Sequence, residues 1–192
     1  MRALIMNGAH AGDAEIDAAA AFLRRELEAV GIAAESLCLR DHRLAYCRGC
    51  FNCWVHTPGV CRTRDAGRDI ARDWIRSDLV VLLTPVTFGG YSSELKKALD
   101  RVICLVSPFF VRIGGEVHHR PRYARYPGLF AIGWQDAGDE EEARTFHTLV
   151  ARNALNMHAP VHGSRVLCRG GDPATGMREL AGSLPIGNWR AA

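Results

Sequence analysis

The chain has 192 residues, 48% of them hydrophobic and 23% charged, and a formal net charge of +3, which fits one globular domain with a full core. So small a charge excludes nucleic acid and membrane surface as the expected main partners, and no apolar run reaches the length of a membrane span. Gly8, Gly12 and Asp13 interrupt the first apolar run too early for a secretory signal, so a cytoplasmic setting is expected, with the seven cysteines reduced unless they bind metal or do redox work.

Ala3–Met6 is a short apolar run ending at Asn7-Gly8 and predicts a first strand. Ile16, Ala19, Ala20, Leu23, Leu27 and Val30 then recur at helical spacing, with Gly31 as the stop. Ile32–Leu39 predicts a second strand. From Arg40 to Thr63 the periodicity is lost among cysteines, Gly49, Pro58 and Gly59, which predicts a long loop. A short helix should carry Ile70, Trp74 and Ile75 on one side. Asp78–Thr84 is apolar at every central position, as a strand covered on both faces must be. Ser92 or Ser93 can cap the next helix, with a stripe of Leu95, Leu99, Val102, Ile103 and Val106. An irregular stretch leads to a fourth strand, Leu129–Gly133. Ala143, Phe146, Val150, Ala154 and Met157 line the following helix, and Ser164–Cys168 gives a fifth strand.

Strands alternating with helices predict an α/β three-layer sandwich: a five-stranded parallel sheet with helices on both faces and right-handed crossovers. Ligands of such sheets sit beyond the carboxyl ends of the strands. That brings together the loops Asn7–Asp13, Pro85–Tyr91 and Trp134–Asp139, with the cysteine loop, about 40–64, at the same edge. Nothing divides the chain, so 1–192 is read as a single domain. The glycine-rich tail, about 169–192, carries no motif.

Cys47, Cys50, Cys53 and Cys61 have the spacing C-x2-C-x2-C-x7-C. Three thiolates at every third position can curl around a corner of a cubane, and a fourth can reach across a turn. Structural zinc more often uses two separated C-x2-C pairs, and free or redox-active thiols fit the spacing as well. Arg48, Arg62 and Arg64 lie beside the motif and could offset the charge of a thiolate-bound cluster. Cys38, Cys104 and Cys168 fall in apolar patterns and are expected in the core. Gly89-Gly90 would let backbone approach a flat ring, with Phe88 or Tyr91 packed against it, or simply shape a strand-to-helix turn. His118, His119, Arg120, Arg122 and Arg125 read as a solvated loop, a contact for a pyridine-nucleotide phosphate, or a contact for a partner subunit. Gly8-Ala-His-Ala-Gly12 does not match the dinucleotide fingerprint.

The segment Cys47-Arg-Gly-Cys-Phe-Asn-Cys-Trp-Val-His-Thr-Pro-Gly-Val-Cys61 resembles the compact cysteine motif of the iron–sulfur flavoproteins. These belong to the NAD(P)H-dependent FMN reductase branch of the flavodoxin-like superfamily. Thr84-Pro-Val-Thr-Phe-Gly-Gly-Tyr-Ser-Ser-Glu-Leu-Lys96, with Ala98-Leu-Asp100-Arg101, is similar to that family's flavin-ring loop and the helix after it. The resemblance runs from about Met1 to Gly133. It implies a flavodoxin-like fold with strand order 2-1-3-4-5. It further implies FMN at Asn7, Gly8, His10, Pro85, Val86, Thr87, Phe88, Gly89, Gly90, Tyr91, Trp134 and Gln135, and a [4Fe–4S] cluster on Cys47, Cys50, Cys53 and Cys61.

The function so implied is flavin-dependent redox chemistry, with NAD(P)H as electron donor and a cluster or a small acceptor taking electrons from FMN. The partners would be a small-molecule or protein redox partner and further copies of the chain, in a homodimer or homotetramer. The cofactor would carry the chemistry, so no acid–base or nucleophilic triad is required. One segment departs from the family. Its first loop normally holds hydroxyl residues that bond the flavin phosphate, whereas Asn7–Asp17 has Ala9 at that place and no Ser or Thr, and Asp13, Glu15 and Asp17 crowd the helix start. FMN is therefore expected to bind more weakly than in a hydroxyl-rich relative. The rival functions are a non-enzymatic partner subunit or metal-binding protein that has lost FMN, and a thiol-based reductase without a cluster.

Overall fold

The computed structural model describes residues 1–170. Five strands form a parallel sheet: β1 (Arg2–Asn7), β2 (Ala33–Cys38), β3 (Leu79–Pro85), β6 (Gly128–Gln135) and β7 (His162–Cys168). Their order is β2-β1-β3-β6-β7, which, counted within this sheet alone, is the expected 2-1-3-4-5. The central strands β3 and β6 are buried at every position, as their unbroken apolar runs require, whereas the edge strand β2 is mostly open.

Alternate residues of the central strands feed two cores. Ala3, Ile5, Val81, Leu83 and Ile132 pack with Ile16, Ala19, Leu23 and Leu27 of α1 (Ala14–Ala29). Leu4, Met6, Val80, Leu82 and Ala131 pack with three helices on the other face. These are α3 (Ala66–Arg76), α4 (Ser93–Arg101) and α5 (Glu140–Asn156), which contribute Ile70 and Trp74, Leu95 and Ala98, and Phe146 and Val150. Asp13, Asp65, Ser92 and Asp139 cap the four long helices with their own side chains.

Several expectations are corrected. Val30 is half exposed and lies outside the apolar face of α1. Helix α4 stops at Arg101, and Val102–Leu105 is a 3₁₀ turn rather than more of its stripe. The irregular stretch beyond is a β-hairpin of β4 (Val106–Ile113) and β5 (Glu116–Pro121), outside the main sheet. Its signal was masked because only a few of its side chains are buried, which leaves no clean alternation. His118 to Arg120 therefore belong to a strand, not a loop, and His118 is buried between Asn156 and Glu116. Of the three cysteines expected in the core, only Cys104 is buried, while Cys38 is partly open and Cys168 exposed. Of the expected tail, Arg169 and Gly170 are described and 171–192 lie outside the described residues.

Candidate functional site

The loop after β1 is built from the inside. Asn7 is buried, and its amide oxygen accepts from the Ala9 N–H while its amide nitrogen donates to Asp17. Gly8 has no room for a side chain: a Cβ there would lie 2.7 Å from Leu95 Cβ. Its carbonyl accepts a 2.6 Å bond from the Ser92 hydroxyl, which also caps α4. Asn7 and Gly8 thus hold the loop together, and His10 alone of the three expected contacts is exposed.

The acids at the start of α1 are paired. Asp13 caps the helix and receives two bonds from Arg169, at 2.8 and 2.6 Å. Glu15 and Asp136 also lie within salt-bridge distance of Arg169. Asp17 receives two bonds from Arg40, at 3.0 and 2.7 Å. Hydrogen bonds from Arg169 hold the Asp13 carboxyl below its ordinary value, and those from Arg40 do the same for Asp17. The simple repulsion expected of three bare acids is therefore reduced. Four carboxylates still face two guanidinium groups, and the Asp13 carboxylate occupies the helix N-terminus that a phosphate would use. Arg40 and Arg169 carried no local motif; only the parallel sheet brings the ends of β2 and β7 to this loop.

The loop after β3 is a tight turn closed by reciprocal hydrogen bonds between Thr87 and Gly90. Phe88, at φ 50°, stands 92% exposed at its tip. Gly89, at φ 72°, packs on α5, where a Cβ would lie 2.6 Å from Thr145 Cγ2. Bulk at Gly89 therefore strains the turn and strikes α5, so this glycine serves the packing of the turn on α5. Pro85 and Val86 continue β3 beside Trp134, and Val86 covers Gly133. Tyr91 is buried edge-on to Phe146 and its hydroxyl accepts from Asn153. Trp134 and Gln135 are not loop residues: they end β6 and are buried, and Gln135 donates to the Asp139 carbonyl and Glu142. The open loop beyond them is Asp136–Asp139.

The cysteine loop contains a four-residue helix, α2 (Asn52–Val55). Trp54 anchors it by donating its indole N–H to the carbonyls of Val106 and Ile103, at 3.0 and 3.3 Å. Beneath it lies a cavity of about 750 Å³. Cys47, Cys50, Cys53 and Cys61 all line it, together with Trp54, Trp74 and His119 and, on the ring-loop side, Gly90 and Tyr91. Burial and then the neighbouring thiols Cys61, Cys47 and Cys50 push the Cys53 thiol up. The Asn52 backbone amide holds the exposed Cys50 thiol down. Among the described residues no three His, Cys, Asp or Glu side chains stand close enough to hold a metal ion. The thiols share one cavity without the closed ligand spacing expected from the motif. Arg48, Arg62 and Arg64 are exposed, and the guanidinium buried at this loop is that of Arg101.

The family model described as NADPH-dependent FMN reductase matches residues 1–166. The chain belongs to that family. An iron–sulfur flavoprotein of Methanocaldococcus jannaschii is 35% identical over 100 residues, which cover 50% of this chain and 51% of that protein. An iron–sulfur flavoprotein of Archaeoglobus fulgidus is 30% identical over 79 residues, 41% of this chain and 35% of that protein. The chain thus spans about half the length, or less, of these curated relatives. Among solved structures, the azoreductase AzrA superposes with a TM-score of 0.67 at 12% identity, covering 95% of this chain and 98% of its own. An NAD(P)H:quinone oxidoreductase from Methanothermobacter marburgensis gives 0.62 at 13% identity, covering 94% and 92%. At such identity the likeness is one of fold.

Thr87–Phe88 and Asp136–Asp139 are exposed turns beyond the carboxyl ends of β3 and β6, where ligands of such sheets sit. The phosphate end of FMN fits less well, because Asp13 caps α1 where the phosphate would be bound. For a cluster the donor type fits, with four thiols on one cavity, although their spacing here is open rather than closed around an ion. Residues of the cavity wall also hold buried nitrogens without a partner among the described residues, Trp74 Nε1, Arg101 Nε and His119 Nδ1. The Trp74 and Arg101 N–H groups among them suit sulfur acceptors.

Proposed function

We propose that this chain is an FMN-dependent oxidoreductase that takes electrons from NAD(P)H and passes them to a small-molecule or protein acceptor, with a [4Fe–4S] cluster on Cys47, Cys50, Cys53 and Cys61. One observation carries it: the four motif thiols and the end of the ring loop, Gly90 and Tyr91, line one cavity. Family membership and the relatives named iron–sulfur flavoproteins support it. A bound flavin supplies two-electron exchange with a nicotinamide, and a cluster supplies one-electron exchange. The protein's own part is to present the ring turn, exclude water with Tyr91 and Trp54, and hold the thiols. Exposed Phe88 beside the ring turn is apolar surface that a homodimer or homotetramer would cover. A cytoplasmic setting suits seven reduced cysteines.

Anaerobic purification with a visible spectrum and iron and sulfide analysis tests this reading. Flavin bands together with a broad brown absorbance near four irons per chain are expected, and each Cys→Ser change in the motif should remove most of the iron. Iron retained in full by three of the four variants overturns the ligand assignment. A second reading, a flavin-free partner subunit or metal carrier, is favoured by the Asp13–Arg169 pair alone. It predicts no flavin bands even after incubation with FMN.

A further inference from the structure

The basic residues in and beside the cysteine motif are exposed, but the end of α4 sends one guanidinium into the interior. The Arg101 side chain is 1% exposed, and its partner Asp65 4%. Arg101 donates to both oxygens of Asp65, at 2.8 and 2.7 Å. It also donates to the Ala45 carbonyl at 2.8 Å and to the Thr63 carbonyl at 3.4 Å. Asp65 in turn accepts from the Ala45 N–H at 2.9 Å and caps α3 through the Gly67 N–H. Ala45 precedes the first motif cysteine by two residues, and Thr63 follows the last by two. One side chain therefore grips both ends of the loop, and Cys61 lies beside its charge. Gly67 is required next to it, since a Cβ there would lie 2.8 Å from Arg101 Nη2.

A buried ion pair is a poor way to gain stability alone, because desolvation offsets the attraction. The planar fork of Arg, however, serves four acceptor atoms here in one fixed geometry, which neither the three rotating donors of Lys nor an apolar side chain can reproduce. At its other end α4 begins directly after the ring loop, and its cap, Ser92, is bonded to Gly8. The helix thus joins the first loop and the ring loop to the cysteine loop as one rigid piece. We infer that Arg101 is the positioning residue of the cysteine centre: it fixes both ends of the loop, and its charge offsets that of buried Asp65 beside the thiols. The charge role rests on the cluster reading; the clamp does not.

The test uses Arg101→Lys, which keeps the charge and loses the fork, Arg101→Gln, which loses both, and Asp65→Asn. In metal-free, reduced protein, amide hydrogen exchange within 43–66 should speed up about tenfold or more in all three, while β3 and β6 keep their protection. After anaerobic reconstitution with ferrous iron and sulfide, bound iron should fall below about half of the parent's. The cluster that remains should keep the parent's midpoint potential in Arg101→Lys and shift to a more negative one in Arg101→Gln, a change that a purely structural role would not produce. Loop exchange unchanged in Arg101→Lys and Asp65→Asn, or acceleration spread evenly over the chain, overturns the clamp. Equal potentials in the Lys and Gln variants overturn the charge role. A parent that takes up no iron and sulfide overturns the cluster reading, while the exchange arm still decides the clamp.

Discussion

Asp13 shows how one side chain can take up the helix N-terminus that an anion would otherwise use. Its carboxylate accepts from the Ile16 N–H and is held by Arg169 from the far end of the sheet. One like charge about 7 Å from a phosphate costs about 1–2 kcal/mol at an effective dielectric of 20–40. Replacing Asp13 by Asn removes that charge and leaves Arg169 with one carboxylate fewer, Asp136 and Glu15 still beside it. Asp13→Asn with Glu15→Gln is therefore expected to raise FMN affinity about tenfold or more. Riboflavin, which lacks the phosphate, should change far less. Fluorescence-quenching titrations with both flavins measure this, and equal gains for the two would place the effect in the ring turn instead.

At the scale of elements, α2 illustrates how a helix too short to stand alone is kept in place. Four residues give no independent helical stability. Trp54 supplies what is missing, by bonding its indole to the 3₁₀ turn and β4 and by packing against Phe51 and His119 at ring distances of 5.4 and 4.8 Å. Trp54→Phe keeps an aromatic ring but removes the indole bonds to the Ile103 and Val106 carbonyls, of which Val106 keeps its bond from Arg122. It should cost about 1–2 kcal/mol in urea unfolding and raise the alkylation rate of Cys50 and Cys53 in reduced protein. A variant with unchanged stability and unchanged thiol reactivity would show that α2 is held otherwise. The hairpin β4–β5 left no clear periodic trace, because His118 is held by Asn156 of α5 and Glu116 of its own strand rather than by an apolar stripe.

At the scale of the whole molecule, carboxylate–arginine pairs tie distant segments, among them Asp13 to Arg169, Asp17 to Arg40 and Asp65 to Arg101. Asp13 and Asp17 are lowered chiefly by the hydrogen bonds of their arginines. For Asp65, burial pushes up, but Arg101 and the Ala45 amide outweigh it and the net shift is down. A carboxyl lowered in the folded state stabilises it above the unfolded pKa, near 3.9, and that contribution is lost as pH falls through the folded value. Urea midpoints are thus expected to hold from about pH 7 to 5 and to drop below about pH 4. Asp13→Asn should be less stable at neutral pH and lose less on acidification. A drop as steep as the parent's would assign the acid sensitivity to other groups.

The local pattern of the chain was sufficient for the sheet. Unbroken apolar runs specify strands buried on both faces, three-to-four spacing specifies helices, and alternation of the two specifies parallel order, all physics within a dozen residues. The four cysteines and the glycine turn after β3 stood out for the same reason, as short segments of distinctive residue type. Tertiary structure alone decided that Trp134, Gln135 and Tyr91 face inward, and that Gly8 and Gly89 serve packing against Leu95 and Thr145. It also brought Arg169 to Asp13 across 156 positions and Arg101 to Asp65 across 36. Such pairings depend on which loops the strand order places side by side, and charge attraction between residues far apart in the chain leaves no periodic trace in the sequence.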